Sequence, residues 1–447
     1  MNTTMSITPR LVSGTRDYLP EDMVPRQGMF DTIRRVFETF AFLPLDTPGL
    51  ELDEVLTGGD PNFTKNIFSV GQRNSEKEDS MALRFDLTVP LARVIAQYGS
   101  RIEKPFKRYQ TGKVWRGEKP QAGRFREFVQ FDADIVGASS ATADAEIVAI
   151  MYETMSALGF TNFLIKINNR KILNGLSEYA AFDSKKTAGV LRLIDKLDKV
   201  DFRTVSAEMK ESLSLNDRQI SAVKAFLDMR SSNSNETLMR VKSLMQNSPT
   251  AIAGVEELIS IASSLKAMKI PEANWTIDLS IARGLGYYTG PVFETVLTDL
   301  PSIGSVFSGG RYDDLVERFG SDPIHATGAS VGVDRLFAAM EKLELVKKSK
   351  TLAKVLVLNF DKNWELSAQS VASSLRRAGV STELYLGKEP LLKGQLNYAV
   401  RQEFPFVVII GSNEGEKRVA QVKDMNARTQ KELPQDEVAE WIKSNIN

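Results

Sequence analysis

Residues 83–90, LRFDLTVP, carry an acid and a hydroxyl at a spacing that could bind a charged ligand. Alternation with a period of two sets Arg84, Asp86 and Thr88 on one face of a predicted strand and the apolar residues on the other. The polar face could hold the ammonium group of a ligand. A strand face exposed to solvent would show the same pattern, so this segment alone does not decide between the two.

Residues 104–137 are rich in basic side chains although the whole chain has no net charge. Eight Lys or Arg residues lie between positions 104 and 126, against a single acid, Glu118. Strands predicted at about 114–118 and 126–136 flank a turn with proline and glycine, so the stretch is predicted to form a long hairpin. A solvated basic hairpin and a site for nucleotide phosphates both fit this excess of charge.

Alternation along the hairpin predicts which side chains share a face. Arg116 and Glu118 share one face of the first strand, and Gln130, Asp132 and Asp134 share one face of the second. In a chain of this length, the polar face of a strand needs contact with water even though the strand lies within a sheet. The pattern therefore predicts a polar cavity lined by the hairpin.

A glycine-containing segment, residues 281–296, is the next candidate site. Its glycines are spaced GxGxxxG rather than GxGxxG, and no strand-to-helix unit surrounds them, so a dinucleotide site is not indicated. The segment also contains Arg283, Tyr287 and Tyr288, which could face a ligand. A twisted or bulged strand is the alternative interpretation.

Two stretches of small residues, 308–315 and 328–336, lead into a predicted helix. Arg335 lies in the opening turn of that helix, where a base could stack on its guanidinium group. A helix-capping turn is the simpler explanation of these residues taken alone. His325, between the two stretches, is expected to be a surface-loop residue.

The composition excludes several kinds of chemistry. Lys and Arg total 57 and Asp and Glu total 57, with no cysteine and one histidine. Disulfides, cysteine-based metal sites, cysteine nucleophiles and multi-histidine metal sites are therefore excluded. Catalysis has to rest on positioning and on charge stabilisation. The N-terminus has no apolar signal region, and the longest apolar run, 404–411, is far below the ~18 residues of a membrane span, so we expect a cytoplasmic protein.

Composition and periodicity divide the chain into successive regions. A strand-rich part is interrupted by a helical, lysine-rich block, which we interpret as an insertion into one domain, although a separate helical domain would give the same pattern. Strand–helix–strand alternation then predicts a small α/β domain with a parallel sheet. The predicted boundaries are 1–169 and 270–343 for the interrupted domain, 170–269 for the insertion, 344–353 for a linker, and 354–447 for the C-terminal domain.

These segments, in this order, resemble the class II aminoacyl-tRNA synthetases and most specifically the histidyl-tRNA synthetase family. FAFLPLDTP (40–48) is similar to the dimer-interface motif 1, VWRGEKPQAGRFREF to motif 2 and GVDRL to motif 3, while ARGLGYYTG and SGGRYDDL are similar to the two histidine-specific segments. SGTRDYLP and LRFDLTVP also match. The resemblance implies an α+β catalytic domain on a mostly antiparallel sheet, with a helical insertion and a C-terminal α/β anticodon-binding domain.

The resemblance also implies a reaction and its partners. The implied reaction is the ATP-dependent activation of L-histidine to histidyl-adenylate, followed by transfer to the 3′-terminal adenosine of tRNA(His). The implied assembly is a homodimer that does not associate with membranes. Mg²⁺ would arrive with ATP, and no protein side chain is assigned as a metal ligand. Arg116 and Arg283 would be catalytic, because each would place a positive charge on the α-phosphate. Arg116 would also bind the carboxylate of histidine.

The remaining site residues take their roles from the same resemblance. Asp86 and Thr88 would hold the α-ammonium group of histidine. Further histidine-binding residues would be Gln130, Asp134, Tyr287 and Tyr288, of which Asp134 would accept a hydrogen bond from the imidazole. ATP would contact Arg116, Glu118, Arg124 and Arg335, and the tRNA acceptor end would contact Gln121 and Arg124.

One position departs from the family pattern. Gly286 stands where the family usually has an aspartate, which removes a carboxylate beside the two tyrosines. Synthetase-like regulatory subunits of ATP phosphoribosyltransferase are the alternative, since they keep the catalytic core without its activity. Such subunits usually lack the anticodon-binding domain, whereas this chain has a full C-terminal domain and keeps Arg116, Arg283 and Arg335.

Overall fold

The structure of the protein is a computed structural model. It describes residues 7–58, 66–71, 80–119, 125–198, 200–231, 233–282, 288–320 and 323–446. The chain forms two compact units. The first comprises Met1–Arg16 and Met29–Leu345, and the second comprises Asp17–Gly28 and Val346–Asn447.

The first unit is built on a large sheet, which has eight strands in the part of the chain that the structure describes. From one edge to the other its strands are β1 (Leu43–Pro44), β5 (Phe106–Trp115), β6 (Glu127–Val136), β11 (Ala326–Gly332), β10 (Ser305–Arg311), β9 (Pro291–Leu297), β7 (Phe163–Asn169) and β8 (Trp275–Ile277). The two outermost pairs, β1 with β5 and β7 with β8, are parallel, and all other neighbours are antiparallel. The prediction of a mostly antiparallel sheet is confirmed.

The hairpin of β5 and β6 separates an apolar face from a polar one, as the alternation predicted. On the apolar face, the ring of Phe131 packs edge-on against Phe37 with centroids 5.2 Å apart, and Phe30 lies 6.2 Å from the same ring. Both phenylalanines belong to the part of helix α1 (Pro20–Thr39) that lies in the first unit, and that part packs on this side of the sheet. The polar face is therefore left on the opposite side.

A smaller sheet precedes the hairpin, and here the sequence prediction of a strand over 83–90 is wrong. Strand β4 (Met81–Leu83) pairs with β2 (Leu50–Leu52) and β3 (Phe68–Val70), but helix α3 (Thr88–Tyr98) begins within the stretch read as a strand. Pro90 lies in the first turn of that helix, where a missing backbone N–H costs nothing. A short helix, α2 (Asp53–Thr57), follows β2.

Arg84, which the alternation grouped with Asp86, does not face the same space. Its guanidinium group is buried and donates to the backbone oxygens of Thr47 at 2.6 Å and Lys113 at 2.9 Å. The side chain therefore ties the start of the small sheet to the hairpin. The loss of strand alternation after Leu83 explains the difference.

Helices fill the interval between β7 and β8, the region predicted as a helical block. The helix that contains the fully buried Val190 and Ile194 ends at Ile194. The helices of the first unit that follow α3 are α4 (Ala141–Ala157), α5 (Arg170–Asn174), α6 (Leu176–Ala180), α7 (Thr187–Ile194), α8 (Phe202–Leu213), α9 (Asp217–Leu227), α10 (Ser234–Leu244), α11 (Pro249–Ala267) and α12 (Val333–Lys342).

The second unit contains an α/β sheet, with five strands among its described residues. The strand order is β13 (Thr382–Leu384), β12 (Val355–Val357), β14 (Phe406–Ile409), β15 (Val419–Asp424) and β16 (Thr429–Pro434). The first three strands are parallel, as predicted, whereas β15 and β16 form an antiparallel hairpin that the sequence analysis missed. The helices are α13 (Glu365–Arg377), α14 (Leu392–Gln402), α15 (Ser412–Glu416) and α16 (Val438–Asn445).

Helix α13 is followed by Gly379, whose φ of 83° is the left-handed conformation that commonly ends a helix. Among the described residues, no helix is both long enough and apolar enough to cross a bilayer.

A buried ion pair joins β10 to α4, and breaking it should destabilise the first unit. Arg311 donates to Asp144 at 2.7 Å and to the backbone oxygens of Ala138 and Ser140. Arg311→Ala leaves the Asp144 carboxylate buried without its partner, so we expect the free energy of unfolding to fall by about 3–5 kcal/mol in urea titrations. Lys113→Ala, which removes an exposed ion pair with Glu127, is the control and should cost less than about 1 kcal/mol. Equal losses in the two variants would contradict this assignment.

Candidate active site

A cavity of about 400 Å³ opens on the polar face of the large sheet. Strands β6, β9, β10 and β11 supply its wall, together with the start of α3 and the residue Asp86 before it, the segment after β5 and the first turn of α12. Eight of the predicted site residues line this one cavity: Asp86, Thr88, Arg116, Glu118, Gln130, Asp134, Tyr288 and Arg335. The other four, Gln121, Arg124, Arg283 and Tyr287, lie outside the described residues, as does Gly286.

Asp134 is the most firmly held carboxylate of the cavity. Its Oδ2 lies 2.8 Å from Nη2 of the fully buried Arg108, and the Tyr312 hydroxyl donates a hydrogen bond to its Oδ1. Burial raises the pKa of Asp134, whereas the charge of Arg108 and the bond from Tyr312 lower it. The neighbouring strand carries Gly328, where a Cβ atom would lie only 2.0 Å from Asp134 Oδ1. Glycine is therefore needed there to leave room for the carboxylate.

Asp132 lies two residues earlier on the same face of β6. Ser330, opposite it on β11, makes a side-chain hydrogen bond to it, and Gln130 Nε2 donates to the Ser330 hydroxyl at 2.8 Å. Burial raises the pKa of Asp132 to about 7, helped by the negative charge of Asp134 and opposed by the positive charge of Arg108. In the described part of the chain, Asp132 has no cation at ion-pair distance.

The third carboxylate of the floor is Asp86, at the entrance to helix α3. Its Oδ1 accepts a hydrogen bond from the backbone N–H of Val89 at 3.1 Å, and only 3% of the residue is exposed. Burial raises the pKa of Asp86, and the nearby Arg116 charge opposes that rise. This bond helps the helix to begin at Thr88, because a carboxylate that accepts from the first turn satisfies a backbone N–H that has no partner within the helix.

Arg116 supplies positive charge to the cavity, directly after strand β5. Its Nε donates to the backbone oxygen of Phe85 at 3.1 Å, and its guanidinium carbon lies 5.0 Å from the centre of the Phe128 ring. These contacts hold the guanidinium plane and leave its two Nη groups to meet a ligand. A guanidinium fixed in this way is suited to a carboxylate or a phosphate, which it can bind with two parallel hydrogen bonds.

Arg335 and Glu118 lie elsewhere on the cavity wall. Arg335 is in the first turn of α12, as predicted, and its Nη1 donates to the backbone oxygen of Ser305 at 2.7 Å. That bond orients the guanidinium plane beside the cavity, where it could stack on a flat ring. Glu118 is exposed, and its backbone oxygen accepts a hydrogen bond from Arg126 at 3.2 Å.

Most described basic residues of the hairpin do not contribute to the cavity. Lys107 pairs with Glu146 at 2.5 Å and Lys113 with Glu127 at 2.8 Å, while Arg108 is buried beneath the floor. The count of charged residues over 104–126 missed Glu127 and Glu146 because both lie outside that interval. Among the described basic residues of 104–126, Arg116 is the one that lines the cavity.

Several cavity residues were not singled out from the sequence. Tyr312 belongs to the SGGRYDDL segment and Glu294 to the segment 281–296, so both lay inside recognised stretches. Asp132 was placed on the polar face without a role. The sequence did not single out Arg108, because its role depends on the buried ion pair with Asp134 and not on its position in the hairpin. His325 is exposed and lies 3.2 Å from Asp313, consistent with the surface-loop prediction.

The cavity thus combines an acidic floor with a basic wall. Four buried carboxylates, Asp86, Asp132, Asp134 and Glu294, form the acidic floor, and Arg116 and Arg335 form the basic wall. In the residues that the structure describes, no group of three or more acidic or histidine side chains is arranged to bind a metal ion. The arrangement fits a ligand with a cationic end and an anionic end, such as an amino acid joined to a phosphate group.

The antiparallel sheet, the hairpin bearing Arg116 and the glycine-rich strand that leads into the Arg335 helix define a class II aminoacyl-tRNA synthetase. A family model described as histidyl-tRNA synthetase matches residues 14–336, and one described as an anticodon binding domain matches residues 354–445. The chain belongs to the histidyl-tRNA synthetase family, as its motifs indicated, and is an aminoacyl-tRNA ligase.

Individual relatives agree with this assignment over nearly the full chain. A histidine–tRNA ligase from Helicobacter hepaticus is 39% identical over 427 residues, which cover 95% of this chain and 96% of the relative. Another, from Rhodopirellula baltica, is 42% identical over 429 residues, 96% of both chains. The solved structure of histidyl-tRNA synthetase from Nostoc sp. PCC 7120 has a TM-score of 0.88 at 32% identity, covering 99% of this chain and 100% of that one.

Proposed function

We propose that the protein activates L-histidine with ATP and transfers the histidyl group to the 3′-terminal adenosine of tRNA(His). The observation that carries this proposal is the cavity itself, which the carboxylates of Asp86 and Asp134 and the guanidinium group of Arg116 line together. A histidine molecule has two nitrogen-bearing groups for the carboxylates and one carboxylate for the guanidinium group.

The floor binds the amino acid. Asp86 and Thr88 hold the α-ammonium group, Asp134 accepts a hydrogen bond from an imidazole N–H, and Gln130 and Tyr288 complete the wall around the substrate. A buried pocket that hydrogen-bonds a substrate N–H rejects an analogue without it by about 10⁴–10⁵. The contacts of Arg108 and Tyr312 with Asp134 support this role, because they fix the carboxylate before substrate binds.

The basic wall stabilises the activation step. A carboxylate oxygen of histidine forms a bond to the α-phosphorus of ATP, the bond to the bridging oxygen breaks, and pyrophosphate leaves. Arg116, with Arg283 as the second proposed cation, offsets the charge on the α-phosphate. Mg²⁺ carried in with ATP would offset negative charge on the phosphates. Arg335 stacks on the adenine and Glu118 orients it, so the protein works by position and charge.

The transfer step needs contacts with RNA. Gln121, Arg124 and Tyr287 keep the roles given above, Gln121 and Arg124 at the tRNA acceptor end or ATP and Tyr287 in the histidine pocket. The second unit would bind the anticodon, which the match of residues 354–445 to an anticodon-binding family model supports.

We also propose the domain limits 1–169, 170–269, 270–343 and 354–447 with a linker at 344–353, and a cytoplasmic location.

A homodimer is part of the same proposal. The motif 1 segment includes β1, whose Leu43 is 59% exposed, and Leu50 and Leu52 of β2 are also exposed. Exposed leucines along strands at the edge of a unit are typical of a surface that a second subunit covers.

Charging of tRNA tests this function. The protein, incubated with ATP, Mg²⁺, radiolabelled histidine and tRNA(His) transcript, should transfer label to the RNA, and should transfer none with a non-cognate transcript. A protein that binds histidine but charges no tRNA would contradict the proposal and favour a synthetase-like regulatory subunit, the alternative left open by Gly286.

A further inference from the structure

Strand β9 begins with a proline, and the chain just before it includes a tyrosine of the cavity wall. Pro291 has no backbone N–H, so it cannot donate a hydrogen bond to a neighbouring strand. The chain before it is nevertheless tied to the end of β10, because the backbone N–H of Thr289 donates to the Arg311 oxygen at 2.8 Å. Tyr288, one residue earlier, lines the cavity. The position of this tyrosine therefore depends on how firmly Thr289 is held.

The side chain of Thr289 both donates to Asp313 and accepts from it. Its hydroxyl donates to Asp313 Oδ2 at 3.0 Å, and the same oxygen accepts from the backbone N–H of Asp313 at 3.1 Å. Asp313 is itself fixed, because its Oδ1 lies 3.2 Å from His325 Nδ1 and 3.4 Å from Arg311 Nη1. A hydrogen bond to a charged group is stronger than one between neutral groups. The hydroxyl of Thr289 therefore ties the chain beside Tyr288 to a carboxylate that other groups hold in place.

The Tyr288 ring lies against strand β10, where a glycine leaves room for it. A Cβ atom on Gly310 would be 2.9 Å from Cδ1 of the ring and 3.1 Å from Cε1, closer than carbon atoms normally approach. Tyr312 and Asp134, which are joined by a hydrogen bond, line the same cavity. A displacement of the Tyr288 ring would therefore change the cavity that is proposed to hold histidine.

We propose that Thr289 is a positioning residue for the histidine pocket and that its hydroxyl acts through Tyr288 by means of the bond to Asp313. This role rests on the proposed function and adds to it a residue that lies outside the cavity lining. Without the hydroxyl, the backbone N–H of Asp313 loses its acceptor, and the chain at 289 keeps its backbone bond to Arg311. The Tyr288 ring then spends less time in its place on the cavity wall.

The size of the effect follows from the fraction of molecules in which the pocket is formed. A ligand that needs one conformation binds more weakly in proportion to the population of that conformation. Loss of one hydrogen bond to a carboxylate is enough to lower that population to about one tenth, so histidine should bind about tenfold more weakly. ATP binding should change little, because Arg116 and Arg335, the arginines proposed to contact it, are held by other backbone oxygens.

The affinity for histidine, measured by isothermal titration calorimetry on the full-length protein, tests this role. Thr289→Val removes the hydroxyl and keeps the shape of the side chain. It should weaken histidine binding about tenfold, while the KM for ATP in pyrophosphate exchange stays within about twofold of wild type. Thr289→Ser keeps the hydroxyl and should bind histidine within about twofold of wild type.

Thr295→Val is the matched control. It makes the same change on strand β9, to a buried hydroxyl that has no hydrogen-bond partner in the described part of the chain. Its affinity for histidine should equal that of the wild-type protein. Thermal unfolding checks that each variant is folded.

A double-mutant cycle distinguishes an effect through Tyr288 from a general loss of structure. In a Tyr288→Ala background the ring is absent, so adding Thr289→Val should change the affinity for histidine by less than about twofold. The inference would be overturned by an additive loss in that background, by an unchanged affinity in Thr289→Val, or by a loss of about tenfold in Thr289→Ser or Thr295→Val. If the wild-type protein bound no histidine at all, the proposed function would be wrong and this role would fail with it.

Discussion

Replacing Arg116 with alanine should lower the rate of histidine-dependent ATP–pyrophosphate exchange by about 10²–10³, with little change in stability. The guanidinium group is fixed by Phe85 and Phe128 and presents its charge where the α-phosphate would become more negative during attack. Removing one such preorganised donor typically costs this factor, because the charge is stabilised in the transition state more than in the ground state. The loss should therefore be in kcat.

Two further variants distinguish the effect of removing any positive charge from the effect of removing the guanidinium group in the cavity. Lys113→Ala removes a positive charge from the same hairpin, but Lys113 is exposed and paired with Glu127 outside the cavity. Its exchange rate should stay within about twofold of wild type. Arg116→Lys keeps the charge without the planar fork and should recover only part of the rate. An unchanged kcat in Arg116→Ala would remove this residue from the mechanism.

Asp134→Asn should raise the KM for histidine by about 30-fold or more and leave the KM for ATP nearly unchanged. The carboxylate is buried and positioned by Arg108 and Tyr312, so the substrate imidazole meets an acceptor already fixed in place. Truncating one partner of a buried, charged hydrogen bond costs about 2–5 kcal/mol, which sets the size of the effect. Steady-state exchange kinetics with each substrate varied in turn give the two constants.

A second variant distinguishes substrate binding from support of the carboxylate. Tyr312→Phe removes only the hydroxyl that donates to Asp134, so the KM for histidine should rise by a smaller factor than in Asp134→Asn. Arg108 remains paired in this variant, and the fold should be kept. If Asp134→Asn raised the KM values for ATP and histidine equally, the floor of the cavity would not be the amino-acid pocket.

Much of the candidate site could be predicted from the sequence because its central part is a regular hairpin. Alternation along β6 placed Gln130, Asp132 and Asp134 on one face, and in the structure these three side chains line the cavity while Phe131 packs in the core. Side chains of a strand alternate between its two faces, so a correctly predicted strand also predicts the face on which each side chain lies. Arg335 was predicted from a different signal, the small residues of 328–336 that lead into a helix.

The sequence prediction failed where local contacts decide the conformation. Residues 83–90 alternate like a strand, but Asp86 accepts from Val89 and Pro90 tolerates the first helical turn, so a helix begins at Thr88. Alternation alone cannot detect such a bond. Asp86 nevertheless faces the cavity, because the helix entrance brings it there and not because of strand alternation.

Two further features needed the three-dimensional structure. The β15–β16 hairpin has a turn without glycine or proline, in which Arg428 adopts a φ of 56°, so its turn signal is limited to Asp424 and Asn426. Arg108 is a charged residue that is fully buried, and its partner Asp134 comes 26 positions later on the adjacent strand. Pairing of this kind depends on strand register, which a single sequence did not define.

Histidine-dependent ATP–pyrophosphate exchange, with the other nineteen amino acids as controls, tests the central claim most directly. The account predicts exchange with histidine and background exchange with every other amino acid, because the residues proposed for activation and for imidazole recognition line the same cavity. Absence of exchange with any amino acid, from a folded protein that still binds histidine, would contradict the claim and support the regulatory alternative.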